Sequence, residues 1–115
     1  MNPAATLPVL ALTMGDPAGI GPELLARAVK HPGFQGRMRF ALYGAPAVIE
    51  AALAAYGTGA AVNPCTVVET SALHPEEFTV GEADARCGQC AYDTVVAATR
   101  AALSGAVDAI VTAPV

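Results

Sequence analysis

Four short apolar runs alternate with three segments of helical periodicity, and that alternation constrains the fold of this chain more tightly than any other feature. Leu7 to Met14, with Val9, Leu10 and Leu12, reads as a buried strand closed by Gly15. Pro22 then stands where a first helical residue would, since its fixed φ suits that position. Glu23 follows in the first turn, where the helix dipole favours a negative charge. Leu24, Leu25, Ala28 and Val29 fall at helical spacing, and His31-Pro32-Gly33 stops the helix. Met38 to Tyr43 is a second strand, ended by Gly44. Pro46 opens a second helix with an apolar face of Val48, Ile49, Ala52 and Leu53, and Gly57 ends it. Cys65 to Val68 is a weaker third strand. Thr70 to Arg86 has mixed polarity with Pro75 and Gly81 and reads as a loop, with room for a short strand at Phe78-Thr79-Val80. Gln89 to Ser104 is a third helix, with Tyr92, Val95, Val96, Thr99 and Leu103 on one face and Gly105 at its end. Val107 to Thr112 is the last strand. This order implies an α/β fold with a mainly parallel sheet covered by helices on both faces. No repeat or change of composition divides residues 1–115.

The composition supports a packed core and excludes several function classes. Apolar residues make up 54% of the 115 and charged residues 14%, which argues against disorder. Alanine supplies much of the apolar share, so each side chain buries little area. The net charge of −4, with no basic run, disfavours nucleic-acid binding. No apolar stretch reaches the roughly 18–20 residues a membrane span needs. The N-terminus lacks the positively charged segment of a signal peptide, so a cytoplasmic protein is expected. Cys65, Cys87 and Cys90 are an odd number and indicate no disulfide framework. Cys87-Gly88-Gln89-Cys90 is a lone CxxC pair, short of the four ligands of a zinc site. A structural role fits it better than a metal or redox one.

The densest chemical signal is Leu12 to Glu23, L-T-M-G-D-P-A-G-I-G-P-E. Asp, Pro and Gly occupy the first, second and fourth places of Asp16 to Gly19, as a tight turn prefers. Gly19 and Gly21 remove side chains where backbone could approach a ligand. A helix starting near Pro22 aims free N–H groups and a positive dipole end at that space, which favours an anion. The spacing is neither GxGxxG nor a Walker loop. A tight strand-to-helix connection with no ligand explains the same residues. Asp16 either meets a ligand or caps local N–H groups, the more ordinary role. Glu23 suits a dipole partner, and His74 a solvated loop. Asp108 suits the end of the turn after Gly105. Thr112, at the end of a strand, suits site and packing equally. No nucleophile, base and orienter set is present.

Two segments carry a family resemblance. The stretch L-T-M-G-D-P-A-G-I-G-P-E resembles the N-terminal motif of 4-hydroxythreonine-4-phosphate dehydrogenases of vitamin B6 synthesis. Gly105 to Pro114, G-A-V-D-A-I-V-T-A-P, resembles that family's matching strand and turn, and Gly88 with the helix from Gln89 to Ala102 is similar between them. G-I-G-P-E is also similar to a motif of isocitrate and isopropylmalate dehydrogenases, whose fold the family shares. The resemblance implies NAD- or NADP-dependent oxidation of 4-phosphohydroxy-L-threonine, with decarboxylation of the resulting β-keto acid, in pyridoxal 5'-phosphate biosynthesis. It implies a divalent metal (zinc, magnesium or cobalt) acting as a Lewis acid and a homodimer with a small phosphorylated hydroxy-acid substrate. On these positions Gly15, Asp16, Gly19, Ile20 and Gly21 are candidates for cofactor binding, and Thr112 and Pro114 for lining the substrate site. The family's metal-binding histidines and substrate-phosphate contacts fall beyond Val115. His31 and His74 match no ligand position, and Cys87 and Cys90 are outside the family pattern. No catalytic or metal-ligating residue is therefore expected within these residues. The chain stops directly after a strand, so the expectation is the incomplete N-terminal part of an isocitrate/isopropylmalate dehydrogenase-like fold, inactive alone. Related dehydrogenases of four-carbon sugar-acid phosphates or aromatic cis-diol carboxylates are an alternative. A non-catalytic anion-binding module is another.

Overall fold

The structure, a computed structural model, describes residues 7–56 and 63–114. Four strands, β1 (Val9–Thr13), β2 (Arg39–Gly44), β3 (Cys65–Glu69) and β4 (Ala109–Thr112), form one sheet in the order β3-β2-β1-β4. Every pairing is parallel, with Leu12 level with Leu42 on one side and Val111 on the other. Parallel neighbours need crossovers, and three helices supply them: α1 (Gly21–Val29), α2 (Pro46–Ala55) and α3 (Ala85–Ser104). The expected end of α2 at Gly57 lies outside the described residues.

Side chains alternate across a strand, so β1 and β2 each feed two cores. Leu10, Leu12, Phe40 and Leu42 pack with Leu25 and Val29 of α1 and Val48 and Ile49 of α2. Val9, Ala11, Ala41, Tyr43 and Ile110 pack with Ala97, Ala98, Ala101 and Ala102 of α3. The second core is built largely from alanine, which lets α3 lie close to the sheet. Both edge strands are open, with Val67 on β3 and Val111 on β4 exposed.

Three local expectations are corrected. Phe78-Thr79-Val80 is not a strand. Pro75–Glu77 forms a 3-10 turn, and Gly81 (φ +86°) reverses the chain just beyond. Helix α3 starts at Ala85, four residues before Gln89. Asp84 caps it by accepting from the Arg86 N–H at 2.8 Å, so Gly88 falls inside the first turn instead of ahead of the helix. The face of α3 that packs on the protein is also a different one. Cys87, Cys90, Ala91, Thr94 and Ala98 are buried, whereas Tyr92 and Leu103 are 66% and 84% exposed. Apolar content misled here because α3 packs on the sheet through small residues, Ala97, Ala98, Ala101 and Ala102 among them. The end of α3 is as expected, with Gly105 in the left-handed region (φ 83°). Asp108 ties β4 to β1: its N–H donates to the Val9 carbonyl, and its carboxylate accepts from the Val9 N–H, both at 2.8 Å.

Asn63 holds the end of α1 in a way no local pattern announced. Its side-chain amide donates to the carbonyls of Val29 (2.9 Å), His31 (3.0 Å) and Ala28 (3.1 Å). Its own N–H donates to Val29 at 3.2 Å. These are among the carbonyls a helix C-terminus leaves without partners. Asn63→Ala should therefore lower unfolding free energy by about 1–3 kcal/mol, read from denaturant melts, because buried acceptors lose their donor.

Asp84 and Arg86 add a pH signature at the other end of the chain. The Arg86 side chain donates to the Asp84 carboxylate and to the Glu77 carbonyl. Hydrogen bonding from Arg86 holds the Asp84 carboxyl below its ordinary value. A depressed folded-state pKa stabilises the fold above the unfolded carboxylate value, and that contribution disappears as pH falls through the folded value. Asp84→Asn should therefore flatten the acid side of a melting-temperature profile taken from neutral pH down to about pH 2. An unchanged acid slope would refute this assignment.

Candidate functional site

The C-terminal ends of the parallel strands are where α/β proteins place their sites. Here the ends of β1 and β4 are joined by main chain. Strand β1 runs on through Met14, whose N–H donates to the Tyr43 carbonyl at 3.0 Å. Gly15 then turns with φ +72°. The Asp16 N–H donates to the Pro114 carbonyl at 3.2 Å, and the Ala113 N–H to the Thr13 carbonyl at 3.2 Å. Asp16 closes the turn on itself. Its side chain accepts from the Ala18 N–H (2.8 Å), and its carbonyl accepts from the Gly19 N–H (2.9 Å). The capping role read from the sequence is the one its side chain plays. Helix α1 starts one residue earlier than Pro22, and its Leu24 N–H donates to the Ile20 carbonyl at 3.1 Å.

The glycines have unequal reasons. A Cβ on Gly21 would stand 1.7 Å from the Met14 carbonyl oxygen, and one on Gly15 would stand 2.2 Å from the Pro114 carbonyl oxygen. Both glycines exist so that α1 and the Ala113-Pro114 segment can press against the end of β1. Gly19 is different: it is exposed, and a Cβ there would make only ordinary contact, 3.4 Å from the Asp16 carbonyl oxygen.

The candidate residues divide between two surfaces. Gly19 and Ile20 line an apolar groove of about 470 Å³ between α1 and α2, with Val48, Ala52, Tyr56 and Phe78. Ile20 is 60% exposed there. Glu23 stands at its rim and pairs with Arg27 at 2.8 Å, and the Arg27 guanidinium lies over the Tyr56 ring. Thr112 and Pro114 line a smaller hollow of about 140 Å³ with Leu12, Leu24, Leu25 and Val111. Gly15, Asp16 and Gly21 sit between the two, as the main-chain partition. Reading the sequence missed the 75–81 loop as a wall of the groove. Gly81 fixes it there by donating its N–H to the Ala18 carbonyl at 2.8 Å, a long-range bond with no local signal besides the glycine itself.

The chemistry available is limited. Among the described residues no three His, Cys, Asp or Glu side chains gather where they could hold a metal ion. Burial raises the pKa of Cys65, Cys87 and Cys90, which keeps these thiols protonated. His74 stays on the surface, 4.0 Å from the exposed Glu76 carboxylate. No helix among the described residues is long and apolar enough to cross a membrane. Gly21→Ala should cost about 1–3 kcal/mol or more in a denaturant melt, because the added methyl overlaps a backbone oxygen that cannot retreat. Gly19→Ala should change stability far less. Equal losses for the two would refute the packing account of Gly21.

No protein-family model matches the chain. Individual proteins do. It is 35% identical over 116 residues to a 4-hydroxythreonine-4-phosphate dehydrogenase of Synechocystis, an alignment covering 96% of this chain and 33% of the relative. It is 35% identical over 126 residues to the D-threonate 4-phosphate dehydrogenase of Salmonella typhimurium, covering 91% of this chain and 36% of that one. The crystal structure of 4-hydroxythreonine-4-phosphate dehydrogenase from Klebsiella pneumoniae superposes with a TM-score of 0.79 at 29% identity, over 95% of this chain and 37% of its own. The chain thus spans about a third of the length of the relatives it matches. In sequence and in fold the chain is similar to 4-hydroxythreonine-4-phosphate dehydrogenases over the third of their length that it spans.

Proposed function

We propose that the family-length protein containing this chain is a dehydrogenase that oxidises a small phosphorylated hydroxy acid, with 4-phosphohydroxy-L-threonine as the substrate and NAD or NADP as the oxidant. The observation that carries this reading is the 35% identity over nearly the whole chain to an enzyme of that name. In this reading the oxidised product loses carbon dioxide, the enzyme works as a cytoplasmic homodimer, and the route is pyridoxal 5'-phosphate synthesis. The relative named for D-threonate 4-phosphate is equally similar, so a four-carbon sugar-acid phosphate is the second reading.

Within that enzyme this chain's part is structural and recognitional. The start of α1 offers N–H groups and the positive end of its dipole, which suit an anionic group of cofactor or substrate. Gly19 and Ile20 offer an exposed apolar wall against which a flat ring can lie, and Thr112 and Pro114 form the rim on the opposite side. A divalent metal would act as a Lewis acid, but the described residues contain no cluster to hold one, so no step through a metal is assigned to them.

The test is an assay of the family-length protein with 4-phosphohydroxy-L-threonine and with D-threonate 4-phosphate. Each is supplied with NAD or NADP, with and without added divalent metal. Growth of the reduced-nicotinamide absorbance with the threonine-derived substrate is the expected result. A preference for D-threonate 4-phosphate supports the second reading, and no turnover of either substrate overturns both.

A further inference from the structure

The outward face of α3 belongs to neither core and to neither of the two surfaces at the strand ends. Tyr92, Val96, Thr99 and Leu103 follow one another at spacings of four, three and four residues. That is the spacing of a helix seam that packs on another helix. The fold leaves this seam open. Tyr92 is 66% and Leu103 84% exposed, Thr99 is exposed, and Val96 is half-buried. The buried residues of the helix, Cys87, Cys90, Ala91, Thr94 and Ala98, lie on another face. The Thr99 hydroxyl donates to the Val95 carbonyl at 2.8 Å, so it adds no open donor to the seam. From Tyr92 to Leu103 the seam runs about 16 Å along the helix axis.

The charges beside the seam indicate what covers it. Asp93 and Arg100 follow directly on Tyr92 and Thr99, so they share one flank a heptad apart, and both are exposed. Among the described residues Arg100 forms no ion pair, and Asp93 accepts from Gln89 of its own helix at 2.8 Å. Half-buried Val95 and Ala102 line the other flank. An antiparallel second copy of α3, related by a two-fold axis at the level between Ala97 and Ala98, sets Tyr92 against Leu103 of the second copy and Val96 against its Thr99. The same operation brings Asp93 alongside Arg100 of the second copy, and Arg100 alongside its Asp93. Val95 and Ala102 meet in the same reciprocal way on the other flank. A two-fold contact has to be self-complementary in this sense. Charges flanking an apolar seam set the partner and the orientation of a helix pair. A purely apolar occupant would leave Asp93 and Arg100 unmatched.

We propose that the outward face of α3 is the surface on which two copies of this chain associate, through an antiparallel pairing of α3 with α3. The contact spans about three helical turns, the small end of specific interfaces, so association is weak and concentration-dependent. The proposal supplies a surface for the homodimer of the proposed reading. Its test reads assembly alone, so its failure leaves the dehydrogenase assay untouched.

The test is sedimentation equilibrium of the 115-residue protein over a range of concentrations, where monomer and dimer should interconvert. Leu103→Glu, at a side chain that touches little of its own fold, should abolish the dimer. Asp93→Arg and Arg100→Asp should each weaken it about tenfold or more, because each sets like charges face to face. The double reversal Asp93→Arg/Arg100→Asp should return it to within about threefold of wild type, whereas two unrelated surface changes would add. The proposal is overturned if the wild type stays monomeric up to about 1 mM, if Leu103→Glu leaves the dimer intact, or if the double reversal is no better than the single ones. In the family-length protein, Leu103→Cys should react with a thiol reagent in dilute solution and become protected as the dimer forms. A thiol protected in the monomer means that the rest of that chain covers the face. That result, or a thiol open at every concentration, also overturns the proposal. Should the 115-residue chain aggregate, this labelling decides alone.

Discussion

Everything at the C-terminal end of this sheet depends on main chain pressed against main chain. Gly21 brings the start of α1 onto the Met14 carbonyl, and Gly15 brings the end of β1 onto the Pro114 carbonyl. Neither approach tolerates a Cβ. Once made, they fix where α1 points, where the segment after β4 lies, and how the Asp16 turn projects between them. The hydrogen bond from Asp16 to Pro114 then locks segments almost a hundred residues apart in sequence. The groove on α1's α2 side and the smaller hollow on its β4 side are consequences of that partition.

The fold was largely legible because its signals are local. Apolar runs closed by Gly15 and Gly44, prolines at the helix starts and Gly105 at a helix end act over a few residues, and all of them mark real boundaries. The failures come where tertiary packing decides. The third helix reads as starting at Gln89, yet Asp84 caps it ahead of Ala85. Tyr92 and Leu103 read as a core face, yet Ala91, Thr94 and Ala98 are among the residues that α3 buries. Asn63 shows nothing in its own neighbourhood, because its partners are the last carbonyls of α1, more than thirty residues earlier.

The candidate site was legible in its position but not in its internal division. A glycine-rich segment between a strand and a helix located the turn correctly. It did not say that Gly15 and Gly21 serve the chain's own packing while Gly19 lies open to the groove. Glycine is required both where backbone meets backbone and where backbone meets ligand, and sequence alone does not separate the two. The folded contacts do, since a methyl on Gly21 or Gly15 would overlap a carbonyl oxygen and one on Gly19 would not. The 75–81 wall escaped detection for a related reason. One of its anchors is the Gly81–Ala18 hydrogen bond, which joins residues 63 apart in sequence.

A site wall made of main chain has a particular chemical character. Backbone N–H groups and a helix dipole present fixed partial charge that does not titrate, so they recognise an anion equally well across the physiological pH range. They supply no proton acceptor and no nucleophile. Asp16, the one carboxylate in the turn, already accepts from Ala18, and Glu23 is engaged with Arg27. An oxidation that removes a proton and a hydride needs a group whose protonation changes during turnover. A turn whose polar atoms are committed to holding its own shape is suited to position a reactant, and under the proposed dehydrogenase reading the proton transfer falls to other side chains.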